Sequence, residues 1–211
     1  AVLVDPEGNE AAFDARIPLA TIGVPVQPTR PVASVDNDHK ATARKLLLHF
    51  ESVGRMRPLL VADRSQRSYV RDVVSGFRQE AADRDAPVEV YRLSSLNAAA
   101  LDRVLDAALE HGSDAMLASS DDIALGLLSQ ARRRGIRIPD QIMLASAVDA
   151  SSLTLTSPQI TAIDLNPRRT GATAVRLLVE RIDHAGDIEP SSTRELIRTR
   201  LIPRDSTRIT G

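Results

Sequence analysis

Residues 113–150 constrain the fold more than any other stretch, because they have the pattern of a strand, a helix and a second strand. The apolar run 114–118 comes first, and the polar residues 119–121 that follow can cap a helix. Gly135 is typical of the position after a helix end, and the apolar run 142–145 then indicates another strand. In between, apolar residues recur at helical spacing: Ile123, Ala124, Leu127, Leu128 and Ala131. Such a unit requires a parallel sheet covered by helices.

Strand and helix signals alternate along the rest of the chain, which predicts an α/β fold. Strands are predicted at 18–22, 32–35, 58–62, 88–91, 158–163 and 195–202. Helices between them are predicted from apolar faces such as Val70, Val73, Val74, Phe77 and Ala81. Parallel sheets of this class bind ligands beyond the carboxyl ends of their strands. In the central unit those ends are residues 119–121 and 146–149, so a ligand is expected there.

The composition excludes several classes of function. The chain has 211 residues and a net charge of −1, so no global field attracts nucleic acid or an anionic membrane. It has no cysteine, and its four histidines lack partners at metal-ligand spacing, so we predict no metal site and no cofactor. No apolar run approaches the ~18 residues of a membrane span, and the first residues do not resemble a signal peptide. No catalytic motif or nucleotide-binding glycine pattern is present, which predicts that the protein is not an enzyme.

Several short motifs follow one another in a fixed order. The central stretch contains Ser120-Asp121, Ala124-Leu125-Gly126, Gly135, Pro139-Asp140 and Asp149. On either side lie Asp36-Asn37-Asp38, Gly76-Phe77 and the ending Arg204-Asp205-Ser206-Thr207. In this order the motifs resemble the effector-binding core of the lactose/galactose-repressor family of bacterial transcription regulators. The resemblance covers nearly the whole chain.

The resemblance implies a periplasmic-binding-protein-like fold of type I, with two Rossmann-like lobes that each contain a parallel sheet. We expect the first lobe to comprise residues 1–54 and 162–187, and the second to comprise residues 55–161 and 188–208. Segments near 54–58, 160–164 and 187–192 would connect the two lobes. The family's N-terminal helix-turn-helix and the first two βα units of its first lobe have no counterpart here, so the first lobe is expected to be incomplete.

The resemblance also implies a set of effector-binding residues, namely Asp38, Arg67, Tyr69, Ser120, Asp121 and Asp149. Each has an ordinary structural alternative. Asp38 and Asp121 can cap helices, and Ser120 can be a turn serine. Arg67 can be a solvated loop arginine, and Tyr69 can simply pack against its neighbours.

Two positions depart from the family's pattern. Val73 stands where the family commonly has an arginine, and Val148 stands where it has the first of two aspartates. In sugar-binding members that arginine and aspartate hold hydroxyl groups by paired hydrogen bonds. Their replacement argues against an ordinary sugar as the effector, and favours a less polar effector or none.

The function implied by the resemblance is that of an effector-sensing and dimerisation core of a cytoplasmic regulator. A small molecule in the cleft between the lobes would control DNA binding by the missing helix-turn-helix in a homodimer. This chain itself would contact neither operator DNA nor a membrane. Two alternatives are an exported solute receptor that delivers sugar to a transporter, and a degenerate regulator core that senses nothing.

Overall fold

The computed structural model describes residues 1–4, 10–14, 17–25, 28–65, 67–84, 89–183 and 193–208. Its strands are β1 (Val2–Val4), β2 (Ala20–Ile22), β3 (Ala33–Asn37), β4 (Pro58–Asp63), β5 (Glu89–Leu93), β6 (Ala115–Ala118), β7 (Met143–Ser146), β8 (Thr161–Asp164), β9 (Arg194–Ile197) and β10 (Arg200–Ile202). Its helices are α1 (Glu10–Asp14), α2 (His39–Ser52), α3 (Ser68–Ala82), α4 (Ala98–Glu110), α5 (Asp121–Arg133) and α6 (Pro167–Asp183). Short 3-10 turns follow at Ser151–Thr154 and Asp205–Thr207.

The chain forms two compact units, each with its own sheet. The first unit comprises Ala1–Asp38, Arg67–Tyr69 and Leu165–Thr199, and the second comprises His39–Gln66, Val70–Asp164 and Arg200–Gly211. This architecture confirms the predicted α/β class with parallel sheets.

The first unit is built on a four-stranded parallel sheet with the order β1-β2-β3-β9. Its core is small and consists of aliphatic side chains: Ala20, Ala33, Val35, Ala174, Leu177 and Ile197. Helix α6 supplies Ala174 and Leu177, whose spacing of three residues places both on the helix face that packs against the sheet.

The second unit is built on a six-stranded sheet with the order β10-β8-β7-β6-β4-β5. All neighbouring strands are parallel except β10, which runs antiparallel to β8. The apolar face predicted for α3 is buried, as are the faces of α4 and α5, because their apolar residues recur at helical spacing. Asn97 caps α4 by accepting a hydrogen bond of 2.9 Å from the backbone N–H of Ala100.

The observed division of the chain differs from the predicted lobes. Helix α2 lies in the second unit, so the chain changes units between Asp38 and His39, and not at residue 54. The chain then returns to the first unit only for Arg67–Tyr69, and the last two changes fall between Asp164 and Leu165 and between Thr199 and Arg200. The predicted connection at 54–58 lies wholly within the second unit, and the one at 187–192 lies outside the described residues. Periodicity identified helix α2 but contained no information about which sheet the helix packs against.

The single strand predicted at 195–202 is two strands in two sheets. β9 pairs in parallel with β3 in the first unit, where Val35 lies opposite Glu195. β10 pairs antiparallel with β8 in the second unit, where Asp164 lies opposite Arg200. The prediction was wrong because alternation of side chains continues through Arg198 and Thr199, although the backbone hydrogen bonds change partner there.

The part of the chain that the structure describes lacks two further classes of feature. None of its helices is long and apolar enough to cross a bilayer. Its histidine and acidic side chains form no group of three that could hold a metal ion.

A polar network holds the 3-10 turn Asp205–Thr207 in the second unit. The hydroxyl of Thr207 lies 2.7 Å from Nε2 of His49 and 2.7 Å from the hydroxyl of Thr161. The neighbouring Ser206 hydroxyl donates to the carbonyl oxygen of Leu144 over 2.5 Å. Thr161, Ser206 and Thr207 are fully buried, so these bonds satisfy groups that water cannot reach.

We expect His49 to make the folded protein less stable as the pH falls. Burial lowers the pKa of His49, because the half-buried ring is poorly solvated when charged. The unfolded chain therefore takes up its proton at about pH 6.5, whereas the folded chain does so only at lower pH. The stabilisation that comes from the neutral His49 ring is fully present above the pKa that His49 has in the unfolded chain. It is lost as the pH falls through that value, and the loss is complete below the lower pKa that His49 has in the folded chain. Urea denaturation between about pH 7.5 and pH 5 measures the slope of the free energy of unfolding against pH.

The slope should become shallower in His49→Gln. The variant His111→Gln is the matched control, since His111 is an exposed histidine of the same unit that pairs with Glu89 over 2.9 Å. Equal slopes in the His49 variant and the unmodified protein would show that His49 does not cause the loss of stability at low pH.

Candidate functional site

The second sheet reverses its strand order between β4 and β6. These two strands are neighbours, whereas β5, which lies between them in sequence, pairs with the other side of β4. The loops that leave β4 and β6 therefore depart in opposite directions and open a crevice at the carboxyl edge of the sheet. This is the place where open α/β sheets bind ligands.

A cleft of about 160 Å³ occupies this edge. Its polar lining comes from the ends of three strands and from the start of α5: Asp63, Arg64, Ser94, Ser95, Ser120 and Asp122. Leu93, Leu96 and Ile123 supply its apolar lining. The cleft therefore offers three hydroxyls, two carboxylates and one guanidinium beside a small apolar surface, a combination that suits a small polar molecule.

Backbone contacts fix the loop that follows β4. The Asp63 carboxylate accepts a hydrogen bond of 2.8 Å from the N–H of Ser65, which closes a tight turn. The Asp63 carbonyl oxygen accepts a second bond of 2.9 Å, from Nη1 of Arg92 on β5. Asp63 is thus held in place before any ligand arrives.

Two serine hydroxyls at the start of α5 have spare hydrogen-bonding capacity. Ser120 is the N-cap residue, yet its side chain makes no capping bond. The Ser119 side chain is fully buried, and its Oγ has no hydrogen-bond partner among the described residues. A buried hydroxyl without a partner costs about 1–3 kcal/mol, but Ser119 does not line the cleft, so Ser120 is the serine of this pair that a ligand can reach. The N-terminal end of α5 additionally favours negatively charged groups.

Asp149 is held by an arginine of the same unit. Its two carboxylate oxygens accept hydrogen bonds of 2.8 Å each from Nη1 and Nη2 of Arg204. Nη1 of Arg204 also donates to the carbonyl oxygen of Ile160 over 2.7 Å. The carboxylate is therefore committed to tying the loop after β7 to the segment before the last 3-10 turn.

The structure brings some of the predicted residues together. Ser120 lines the cleft, and Asp121 follows it as the first residue of α5. Asp149 lies on the same edge of the sheet, after β7. Asp38, Arg67 and Tyr69 belong to the first unit, in which Asp38 follows β3. An effector-binding role stays a prediction for all six.

The two departures from the family pattern have structural counterparts. Val73 is fully buried on the apolar face of α3. Val148 donates its N–H to the Ser146 hydroxyl over 3.2 Å, and its carbonyl oxygen accepts from that hydroxyl over 2.7 Å. The Val148 backbone thus forms a local turn without any contribution from its side chain.

Five cleft residues escaped the sequence analysis: Asp63, Arg64, Ser94, Ser95 and Asp122. The signal was available for two of them, because Asp63 and Arg64 directly follow the strand predicted at 58–62, whereas Ser94 and Ser95 lie three and four residues beyond the strand predicted at 88–91. Applying the strand-end rule to every predicted strand, and not only to the central unit, would have identified Asp63 and Arg64.

Known proteins resemble the chain in sequence and in structure. A model of the periplasmic binding protein-like domain family matches residues 47–207. The HTH-type transcriptional repressor PurR of Vibrio parahaemolyticus is 30% identical over 113 residues, which are 52% of this chain and 34% of that protein. The chain thus spans about a third of the length of this curated relative.

Solved structures agree with these sequence matches. A transcriptional regulator from Sanguibacter keddieii, described as a member of the LacI family, superposes with a TM-score of 0.79 and 30% identity. The superposition covers 92% of this chain and 75% of that one. A LacI family regulator from Enterococcus faecium with bound ribose has a TM-score of 0.77 at 17% identity, covering 90% of this chain and 70% of its own.

Proposed function

Because the chain belongs to the periplasmic binding protein-like domain family, with relatives among the LacI-type regulators, we propose that it is the effector-sensing core of a bacterial transcription regulator. The resemblance predicted from the motifs is confirmed by these relatives. In the proposed protein a separate DNA-binding domain contacts the operator, and this chain binds the small molecule that controls it. The regulator is a cytoplasmic homodimer in this proposal, and it is not an enzyme.

The cleft at the carboxyl edge of the second sheet is the observation that supports this proposal. It combines a preformed loop at Asp63, a Ser120 hydroxyl that makes no capping bond and an apolar wall at Leu96 and Ile123. Polar groups held rigidly in a concave site give orientation and specificity to a small ligand. A ligand that binds one conformation of the regulator better than another shifts the population toward that conformation.

The chemistry of the cleft indicates which effectors to test. Carboxylates at Asp63 and Asp122 accept hydrogen bonds, so they suit ligands that carry hydroxyl or N–H donors. The E. faecium neighbour was solved with ribose, which is such a ligand. The Val73 and Val148 side chains cannot bond hydroxyls, so we propose an effector that uses the Asp63, Ser120 and Asp122 side chains instead.

One observation favours a second candidate, a regulator core that senses no small molecule. The Asp149 carboxylate, which the resemblance places in the effector site, makes two hydrogen bonds to Arg204. In this candidate the polar side chains at the carboxyl edge of the second sheet stabilise the fold and bind no effector. Regulation then proceeds through contacts with other proteins.

Thermal unfolding in the presence of a ligand panel distinguishes the two candidates. The panel contains pentoses, hexoses, disaccharides, nucleobases and nucleosides. An effector at a hundred times its Kd stabilises the folded state by about 2.7 kcal/mol, which raises the Tm measurably. A hit is then quantified by calorimetry with Ser120→Ala, which should weaken binding by about tenfold, and with Ser129→Ala. Ser129 is an exposed serine on the same helix, so its variant should bind normally.

A flat panel, or a hit that Ser120→Ala leaves unchanged, would contradict an effector site in this cleft and favour the second candidate. Sedimentation velocity on the same samples tests the proposed homodimer independently of the ligand.

A further inference from the structure

A second concave surface lies in the second unit, on the outer side of α3. Residues at helical spacing on α3 form one wall, and β5 forms the other. The groove has a volume of about 420 Å³, and three of its lining residues are arginines: Arg71, Arg78 and Arg92. Ser75 and Gln79 add polar atoms, and Val74 and Ala82 contribute small apolar patches. The cleft described above shares none of these residues.

The charge of this arginine groove is not balanced. Among the described residues, none that lines the groove is acidic, and none forms an ion pair with its three arginines. Other arginines of the unit do find carboxylates, as Arg84 does with Glu80 over 3.1 Å. Three guanidinium groups therefore face a common space to which the described residues supply no counter-charge. An anion that enters this space relieves their mutual repulsion.

The shape and the donor set define the ligand class. Guanidinium groups bind phosphate by two parallel hydrogen bonds, which makes several converging arginines a strong phosphate site. Gln79 donates its amide to Asp83 over 2.9 Å, so its carbonyl oxygen remains able to accept a bond from a ligand hydroxyl. The described lining of the groove contains no aromatic side chain, which disfavours stacking of nucleic-acid bases. We propose that this groove binds a small phosphate-bearing, hydroxylated molecule such as a sugar phosphate.

Arg92 connects this groove with the cleft. Its Nη1 atom donates to the carbonyl oxygen of Asp63 over 2.9 Å, and Asp63 lines the cleft. A phosphate that draws the Arg92 guanidinium into the groove weakens that support of the loop after β4. The phosphate-bearing molecule then changes affinity at the cleft, and by thermodynamic linkage the cleft ligand changes phosphate affinity by the same factor. This coupling rests on the proposed function, whereas phosphate binding does not.

Calorimetry with a hexose 6-phosphate, the matching free hexose and inorganic phosphate tests the site on the whole chain. We expect the sugar phosphate to bind at least about tenfold more tightly than the hexose, with an affinity that falls as salt rises. Inorganic phosphate should compete with it. Arg78→Gln should weaken binding by about tenfold. Arg132→Gln is the control, because it removes the same charge from an exposed arginine at the end of α5.

Several results would overturn the proposal. Equal losses in Arg78→Gln and Arg132→Gln would mean that only net charge matters. A loss in Ser120→Ala with none in Arg78→Gln would place the phosphate in the cleft, where Arg64 supplies a cation. Tighter binding of a short DNA duplex than of the sugar phosphate, abolished by Arg78→Gln, would make the groove a nucleic-acid surface. Absence of binding heat with every phosphate probe would contradict phosphate binding in the groove. It would leave the proposed function untouched, because the ligand panel tests the cleft separately.

Discussion

Replacing Arg204 by alanine should lower the free energy of unfolding by about 3 kcal/mol. The side chain is 11% exposed and its partner Asp149 is 22% exposed, so water screens this ion pair only weakly. The change removes two hydrogen bonds to the Asp149 carboxylate and one to the Ile160 carbonyl oxygen. The largest part of the cost comes from the carboxylate, which is left charged and poorly solvated.

A second arginine–aspartate pair in the same unit provides the control. Arg200 lies 3.3 Å from Asp164, but its side chain is 75% exposed. Exposed pairs contribute about 0–1 kcal/mol, so Arg200→Ala should be nearly neutral in the same urea denaturation. A double variant that combines Arg204→Met with Asp149→Leu should recover part of the loss, since neither charge is then left alone. Similar losses in Arg204→Ala and Arg200→Ala would show that burial does not strengthen the Arg204 pair.

This pair also shows why part of the candidate site could not be predicted. The sequence correctly indicated that Asp149 lies just beyond the carboxyl end of a strand. It could not show that the carboxylate pairs with Arg204, because the partner is 55 residues away and belongs to the last segment of the chain. Ser120, by contrast, was predictable, because the strand before it and the helix after it are local patterns.

The same limit separates the correct and the incorrect parts of the predicted fold. The apolar faces of α3 and α5 were correctly predicted, because helical spacing is a local property of the sequence. The unit to which α2 belongs and the break between β9 and β10 were not, since both depend on which distant strand or helix is the partner. Long-range pairing is fixed by packing in three dimensions, and one sequence contains it only indirectly.

Gly76→Ala should destabilise the protein by about 2–3 kcal/mol, although alanine is the better helix former. A β-carbon at this position would lie 2.7 Å from the Cα atom and 2.8 Å from the carbonyl oxygen of Lys40. Both are backbone atoms of α2, so the two helices would have to move apart. The Gly76-Phe77 pair that contributed to the family resemblance therefore has a packing reason: α3 approaches the backbone of α2 where only glycine fits.

Two other helical glycines are controls for the general effect of replacing glycine by alanine in a helix. A β-carbon at Gly126 of α5 would meet a methyl group of Leu101 at 2.9 Å, which can rotate away, so Gly126→Ala should cost less than Gly76→Ala. At Gly171 of α6, no described atom beyond the nearby backbone of the same helix lies within 4 Å of the added carbon, so Gly171→Ala should stabilise by about 0.5–1 kcal/mol. Thermal and urea unfolding of the three variants should give this order. If Gly76→Ala were as stable as Gly126→Ala, the close approach of α3 to α2 would be contradicted, because only backbone contact distinguishes the two sites.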